Sequence, residues 1–171
     1  MIVIKELFAD IVDQMRFNDK PISFKFGYWN TVATELLNEG RSNALRDMRF
    51  PLIFLNADIQ EKDVDFRTIE INPTFYIITQ TESKYDIETR LEMIYKVELY
   101  PIYKDLIKEI RKSHKFWVYG GQIPHEKKDM FYLQNLAANQ NKINMIVDAI
   151  EVRFNKLDMI KSVYNYYDND R

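Results

Sequence analysis

The chain lacks cysteine altogether and contains only four glycines and two histidines among its 171 residues. Without cysteine it can form no disulfide, no thiolate metal site and no thiol nucleophile. Four glycines are too few for a typical nucleotide-binding loop, and the Gly120–Gly121 pair is followed by no further phosphate-cradling pattern. These absences argue against a disulfide-stabilised protein, a thiol enzyme and a nucleotide-binding enzyme.

The chain also has little excess charge and no long hydrophobic run. Its 24 basic and 26 acidic residues give a net charge of −2, so a nucleic acid or an anionic membrane would need a local basic patch. No segment approaches the roughly 18 uncharged apolar residues of a membrane span. Charged residues interrupt the apolar opening MIVIKELFADIV, which therefore predicts a helix and not a signal sequence. We expect a soluble protein with no membrane partner.

The N-terminal part of the chain combines a helix, a strand and a polar segment. Apolar residues at helical spacing predict an amphipathic helix over residues 3–16. Ile22, Phe24 and Phe26 then alternate with polar residues, as in a strand with one buried face. Residues 29–49 are mostly polar and predict a mobile excursion that includes a short helix at 31–38.

The middle of the chain has the composition of β-strands. Residues 52–55 are continuously apolar, which suits a strand buried on both faces. An acidic turn at 60–66 and a short apolar segment then lead through Pro73 into the β-branched and aromatic segment 74–81, as a hairpin or meander. Because proline cannot donate to a ladder, Pro73 predicts an edge or a bulge in the last of these strands.

The longest amphipathic run covers residues 86–112, with Ser83 as its candidate N-cap. It contains Pro101, which costs about 3 kcal/mol in a helix interior but little in the first turn of a new helical segment. The pattern therefore predicts a kink or break at Leu99–Tyr100, with the apolar face continuing beyond it. A bent helix of this kind can follow a twisted sheet.

The C-terminal part contains a loop, a strand and a tail. Periodicity fades over 114–141, which indicates a loop or hairpin tip. Residues 145–157 resume a strand pattern that Asp148 interrupts, and the polar, aromatic tail at 160–171 is expected to be flexible. With no repeat or linker, residues 1–171 predict a single domain of α+β class. Its small, mostly antiparallel sheet of about four strands would be flanked by the N-terminal helix and the long Pro-kinked helix.

Few residues suggest catalysis or metal binding. His114 and His125 lack carboxylates at metalloprotease spacing, which favours surface histidines over a metal site. The acidic residues at 58–65 lack the glycine and terminal glutamate of a calcium loop and favour a solvated turn. No serine lies in a nucleophile-elbow context. We predict no enzyme activity, no metal and no cofactor.

A basic patch with neighbouring aromatic residues follows the long helix. It consists of Lys108, Arg111, Lys112, His114 and Lys115 with Phe116, Trp117 and Tyr119. Such a combination can stack on single-stranded nucleic acid, although cations in a last helical turn also complement the helix dipole. The patch supports one functional hypothesis, a small nucleic-acid-associated or regulatory protein that uses residues 108–119.

The other hypothesis comes from a resemblance. The ordered segments RFPLIFLNADI, FYIITQTESKYDIETRLEMIYKVELYPIYKDLIKEIRKS and NMIVDAIEVRF resemble small virion proteins of tailed bacteriophages and prophages, notably those of gut Bacteroidetes and crAss-like phages. The matching residues are Phe50–Ile53, Ile77–Thr81, Arg90, Leu99–Tyr103 and Asp148–Val152. The resemblance covers roughly residues 22–157, and its motifs are structural and not catalytic.

The chain is thereby similar to tail-terminator, tail-completion and head-to-tail joining ring proteins. The resemblance implies a small antiparallel sheet flanked by helices and a homo-oligomeric ring, commonly sixfold or twelvefold. The ring would meet portal, adaptor or tail-tube proteins in the virion neck or tail, after synthesis in the host cytoplasm. Any DNA contact would be confined to its lumen.

A ring subunit must present different faces to its two neighbours, and a bent helix could help to shape them. We therefore predict subunit contacts at Pro101 and at aromatic residues outside the core pattern, since Tyr and Trp often anchor interfaces. These aromatics are Trp117, Tyr119, Tyr164, Tyr166 and Tyr167. The alternative is that they pack against their own subunit.

Overall fold

The structure is a computed structural model that describes residues 2–39, 50–65, 67–118, 123–133 and 145–160. The helices are α1 (Ile2–Asp13), α2 (Trp29–Glu39), α3 (Ile87–Arg90), the π-helical segment (Leu91–Leu99) and α4 (Tyr100–Lys112). The strands are β1 (Arg16–Phe17), β2 (Lys20–Pro21), β3 (Ser23–Gly27), β4 (Leu52–Asn56), β5 (Glu61–Asp63), β6 (Thr68–Ile71), β7 (Thr74–Gln80), β8 (Phe116–Val118), β9 (His125–Leu133), β10 (Met145–Arg153) and β11 (Leu157–Ile160). We call residues 87–112 the long helix.

The strands form two principal sheets and a small β1–β2 ribbon. The larger sheet has the order β3-β4-β7-β10-β9, in which only the β3–β4 pair is parallel. The smaller sheet has the order β5-β6-β11-β8 and is antiparallel throughout. The α+β class is confirmed, but the described residues form sheets of five and four strands instead of one sheet of about four.

The five-stranded sheet is buried on both faces because its central strands carry apolar residues at both parities. Ile53 of β4 and Ile150 of β10 pack in the main core, whereas Leu52 and Ala149 pack in a second core beneath α2. The main core lies between this sheet, the four-stranded sheet, α1 and the long helix. The prediction of a strand buried on both faces at 52–55 is confirmed.

Phe8 of α1 joins the two sheets at the centre of the main core. Its ring contacts Phe75 of β7 edge-on at 4.8 Å and stacks on Phe116 of β8 at 4.7 Å. All three side chains are buried. The amphipathic first helix is confirmed, and its apolar face binds both sheets into one core.

Two of the connections between the sheets lie next to each other. Pro73 separates β6 of the smaller sheet from β7 of the larger one, and residues 154–156 separate β10 from β11. The Phe154 N–H donates to the Pro73 carbonyl at 3.1 Å, which ties the two places together. The predicted edge or bulge at Pro73 is wrong, because β7 is an interior strand between β4 and β10. The proline precedes the ladder and so needs no N–H there.

Several local predictions need correction. The acidic turn contains strand β5, and the predicted β6–β7 hairpin does not form, since β6 pairs with β5 and β11. The predicted loop at 114–141 contains β8 and β9; β8 is only three residues long and β9 begins with a polar sequence, so neither gave an alternating pattern. Residues 29–39, predicted to lie in a mobile excursion, form α2, whose Val32 and Leu36 are buried. Residues 40–49 and the predicted flexible tail at 161–171 lie outside the described residues.

Candidate assembly surface

The long helix does not break at its proline. Leu99 and Tyr100 both keep right-handed helical dihedrals, so the predicted break at this position is wrong. The hydrogen bonding changes instead: the Tyr100 N–H donates to the carbonyl of Tyr95, five residues back, and the α-helical pattern starts there. Half-buried Pro101 is the second residue of α4. It therefore lies in the first turn of a new segment, as predicted, where its missing donor costs little.

The N-terminal half of the long helix presents an exposed apolar surface. Ile87, Met93 and Val97 are 64%, 63% and 58% exposed, respectively. Met93 and Val97 are four positions apart and so lie side by side on one helical face. Ile94, Tyr95 and Leu99 occupy the opposite, core-facing side. We call Met93 and Val97 the helix stripe; Ile87 is exposed in the first turn of the same helix. Sequence periodicity did not predict the stripe, because the core-facing apolar pattern already explained the helix.

A buried ion pair fixes this half of the helix to the larger sheet. Arg90 donates from both Nε and Nη2 to the two carboxylate oxygens of Asp148, with Nε at 3.0 Å from Oδ2. The Asp148 side chain is fully buried and the Arg90 side chain is 7% exposed. Two-pronged arginine–carboxylate pairs hold a defined orientation. The interruption at Asp148 in the strand pattern was therefore the sequence signal of this contact.

A second carboxyl group, that of Glu98, belongs to the same stretch of helix. Glu98 is half-buried, and this burial raises the pKa of its carboxyl, while a hydrogen bond with Thr79 acts in the opposite direction. Thr79 is the cross-strand neighbour of Asp148. The contact between the helix and β7–β10 thus combines an apolar core with a small polar cluster.

The helix N-terminus begins at a different residue from the predicted one. Asp86 is the N-cap, and its Oδ1 accepts a hydrogen bond from the Thr89 N–H at 2.8 Å. The backbone hydrogen bond from Thr89 lowers the pKa of the Asp86 carboxyl. The predicted cap at Ser83 is wrong, because Ser83 lies three residues before the first helical turn.

Among the predicted contact residues that the structure describes, Trp117 has a large exposed apolar side chain. It is 60% exposed and belongs to β8, an edge strand of the smaller sheet. Its neighbour Phe116 points into the core instead. Trp117 follows the C-terminal end of the long helix. That end of the helix lies on the order of 25 Å from Met93 along the helix axis. Tyr119, Tyr164, Tyr166 and Tyr167 lie outside the described residues.

Several residues of the basic patch already make contacts within the same chain. Lys112 pairs with Glu109 at 3.3 Å, and Lys115 pairs with Asp10 at 3.3 Å. The Phe116 ring is buried against Phe8 and cannot stack on a base. These contacts weaken the case for a stacking platform for single-stranded nucleic acid at 108–119.

The sheet edges carry charges that disfavour strand addition. Edge strand β5 consists of Glu61, Lys62 and Asp63, all exposed, and edge strand β9 contains Glu126 and Lys128. Lys128 pairs with Glu126 at 2.7 Å and reaches buried Glu151 of β10 at 3.2 Å. Charged edge strands resist pairing with another sheet.

The acidic turn and His125 make contacts that stabilise the fold. Asp65 Oδ1 accepts hydrogen bonds from the Arg67 and Thr68 N–H groups at 2.6 and 2.8 Å and so closes the turn. His125 packs on the Tyr103 ring at 4.7 Å. Within the described ranges, no three His, Cys, Asp or Glu side chains are grouped as metal ligands. None of the helices in that part of the chain is both long and apolar enough to span a membrane.

The sequence matches no protein-family model, and no curated protein matches it.

Proposed function

We propose that this protein is a non-enzymatic structural component of a phage neck or tail that assembles as a homo-oligomeric ring. The observation that carries the proposal is the helix stripe, two large apolar side chains exposed side by side on a well-anchored helix. Exposed apolar groups that the subunit does not bury are typical of sites that another protein covers. The ring would contact portal, adaptor or tail-tube proteins, and DNA only in its lumen.

The positions of the residues that carry the family resemblance support the same proposal. Leu52–Ile53, Ile77–Gln80 and Asp148–Val152 lie in the adjacent strands β4, β7 and β10, while Arg90 and Leu99–Tyr103 lie in the long helix that covers them. Arg90 and Asp148 contact each other directly. The matching motifs therefore form one structural unit, the unit that holds the helix stripe in place.

A ring also needs two dissimilar faces on each subunit. The helix stripe and Trp117 are associated with opposite ends of the long helix, which suits them to different contacts. Tryptophan and large apolar residues commonly anchor such interfaces. In this arrangement the helix sets the distance between a subunit's two contact regions.

The proposal is tested by placing charge in the helix stripe. Met93→Glu combined with Val97→Glu should abolish ring formation, because the charged groups would have to be desolvated at the interface. The matched control, Met93→Leu with Val97→Ile, keeps the apolar surface and should assemble. Particle class averages and sedimentation velocity report assembly, and circular dichroism reports folding. Unchanged rings from the Glu variant would exclude the helix stripe as a ring contact, and intact particles without this chain would reject the proposed function.

A further inference from the structure

A cationic groove lies along α4, away from the helix stripe. It has a volume of about 390 Å³ and is lined by Tyr103, Lys104, Ile107, Lys108, Arg111 and Ile123. Lys104, Lys108 and Arg111 recur at helical spacing and are exposed. Ile107 and Ile123 are buried and form an apolar floor between the charges. We call this site the cationic groove.

The tyrosine of the groove shows that its wall is partly desolvated. Burial raises the pKa of the Tyr103 phenol, and the positive charge of Arg111 acts in the opposite direction. The Tyr103 ring is also held by its contact with His125. The groove therefore combines an ordered apolar wall with several positive charges, which fits an apolar side chain flanked by carboxylates.

The same chain contains a projection of that description. The turn between β5 and β6 presents Val64, which is 46% exposed, between Asp63 and Asp65. The Val64 N–H donates to the Thr68 carbonyl at 3.2 Å, and Asp65 closes the turn as described above. The projection is therefore ordered before any contact forms, which lowers the entropic cost of binding. We call residues 63–65 the acidic hairpin tip.

The acidic hairpin tip lies at one edge of the smaller sheet, and the helix that carries the cationic groove contacts the other edge. β5 is one edge of this sheet, and β8, which α4 contacts, is the other. Three strand spacings separate these edges, about 14 Å at the usual distance between strands. In the subunit Val64 remains exposed and the groove remains open. The two features are thus arranged for a head-to-tail contact between copies.

We infer that the acidic hairpin tip of one copy inserts into the cationic groove of the next copy. Val64 would cover the apolar floor, while Asp63 and Asp65 would approach the cations at the groove rim. This inference rests on the proposed function, because it names a second copy of the chain as the partner. The groove has an apolar floor and the tip carries an apolar side chain between two carboxylates, which favours this partner over DNA, because DNA would use the cations alone.

Cysteine cross-linking tests the contact directly, since the natural chain contains no cysteine. We expect a full-length chain carrying both Val64→Cys and Lys108→Cys to form a ladder of covalent oligomers with a short bismaleimide. A mixture of the two single variants should give mainly a dimer. The matched control pairs Val64→Cys with Lys5→Cys, an exposed position on α1 away from the groove, and should give only background cross-linking.

Charge reversal provides a second measurement that does not depend on cysteine. Lys108→Glu with Arg111→Glu should abolish assembly, and adding Asp63→Lys to the same chain should restore part of it. Rings of the wild-type chain, together with only background cross-linking of the variant that carries Val64→Cys and Lys108→Cys, would overturn the inference and leave the proposed function standing. Cross-linked chains that never close into rings would support the contact and overturn the ring. Salt-sensitive DNA binding lost on reversal, without cross-linking, would assign the groove to nucleic acid and overturn the inference.

Discussion

The buried Arg90–Asp148 pair makes the sharpest prediction about stability. Replacing Asp148 with Asn keeps the shape of the side chain but removes its negative charge. The guanidinium of Arg90 would then remain in a site where its side chain is 7% exposed and its partner is fully buried. Solvent can screen little of the charge that is left without its counter-charge.

The size of the effect follows from this burial. Breaking a buried pair by removing one partner costs about 3–5 kcal/mol. For a chain of this length, each kcal/mol lowers the melting temperature by about 2–4 °C, so we expect a decrease of roughly 6–20 °C. Domains are stable by only about 5–15 kcal/mol, which makes this a substantial fraction of the total.

The assay is a double-mutant cycle measured by urea unfolding. Arg90→Met and Asp148→Leu should each destabilise the fold when made alone, whereas the double variant Arg90→Met with Asp148→Leu should be close to wild type or more stable, because no charge stays buried. Glu92→Gln serves as the exposed control, since it removes the pairing of Glu92 with Lys96 on the solvent side of the same helix. It should leave the midpoint unchanged.

Two outcomes would refute this reasoning. One is an Asp148→Asn variant within about 1 kcal/mol of wild type, since that is below the cost of a buried unpaired charge. The other is a double variant as unstable as the two single variants combined, which would show that the residues act independently.

Two further predictions concern the same helix. Pro101→Ala should leave a folded monomer but weaken the ring. The substitution restores a backbone donor where the hydrogen-bond pattern changes and so relaxes the constraint on the helix stripe. Sedimentation velocity at matched protein concentrations measures both the monomer and the ring, and unchanged rings would contradict the prediction. Burial raises the pKa of Glu98 above its ordinary 4.5, so the folded state binds more protons than the unfolded state just above that pH, and stability falls as pH rises through the folded pKa. Glu98→Gln should therefore flatten the dependence of unfolding free energy on pH above 4.5 and stabilise the protein at neutral pH, and an unaltered urea midpoint profile between pH 4.5 and 8 would exclude this role.

Sequence patterns predicted the elements whose burial is regular. The first helix, the doubly buried strand β4 and the end of the long helix at Lys112 all follow from apolar periodicity. The patterns missed β8 and β9 because edge strands are not alternately buried, and long-range pairing to β11 and β10 is what defines them. Sheet membership was unpredictable for the same reason, since β6 and β7 are consecutive but pair with different partners.

The candidate surface was less predictable than the fold. Trp117 was predicted as a contact residue and is exposed, but whether it contacts another subunit stays a prediction. The helix stripe was not predicted from the sequence, because Met93 and Val97 can be distinguished from core residues only when the side of the helix that faces the sheet is known. Arg90 and Asp148 carried a signal in the sequence, an acidic residue within a buried strand pattern and an arginine early in the covering helix.

The two sheet crossings at Pro73 and Phe154 have a mechanical consequence. Because these two crossings are hydrogen-bonded to each other, and because the chain also joins the sheets between β4 and β5 and between β8 and β9, the smaller sheet cannot swing away from the larger one without straining several connections. Such a swing would pull Phe116 off Phe8 and open the shared core. The sheets should therefore melt in one transition, and a strain applied to either by a neighbouring molecule would be felt by the other.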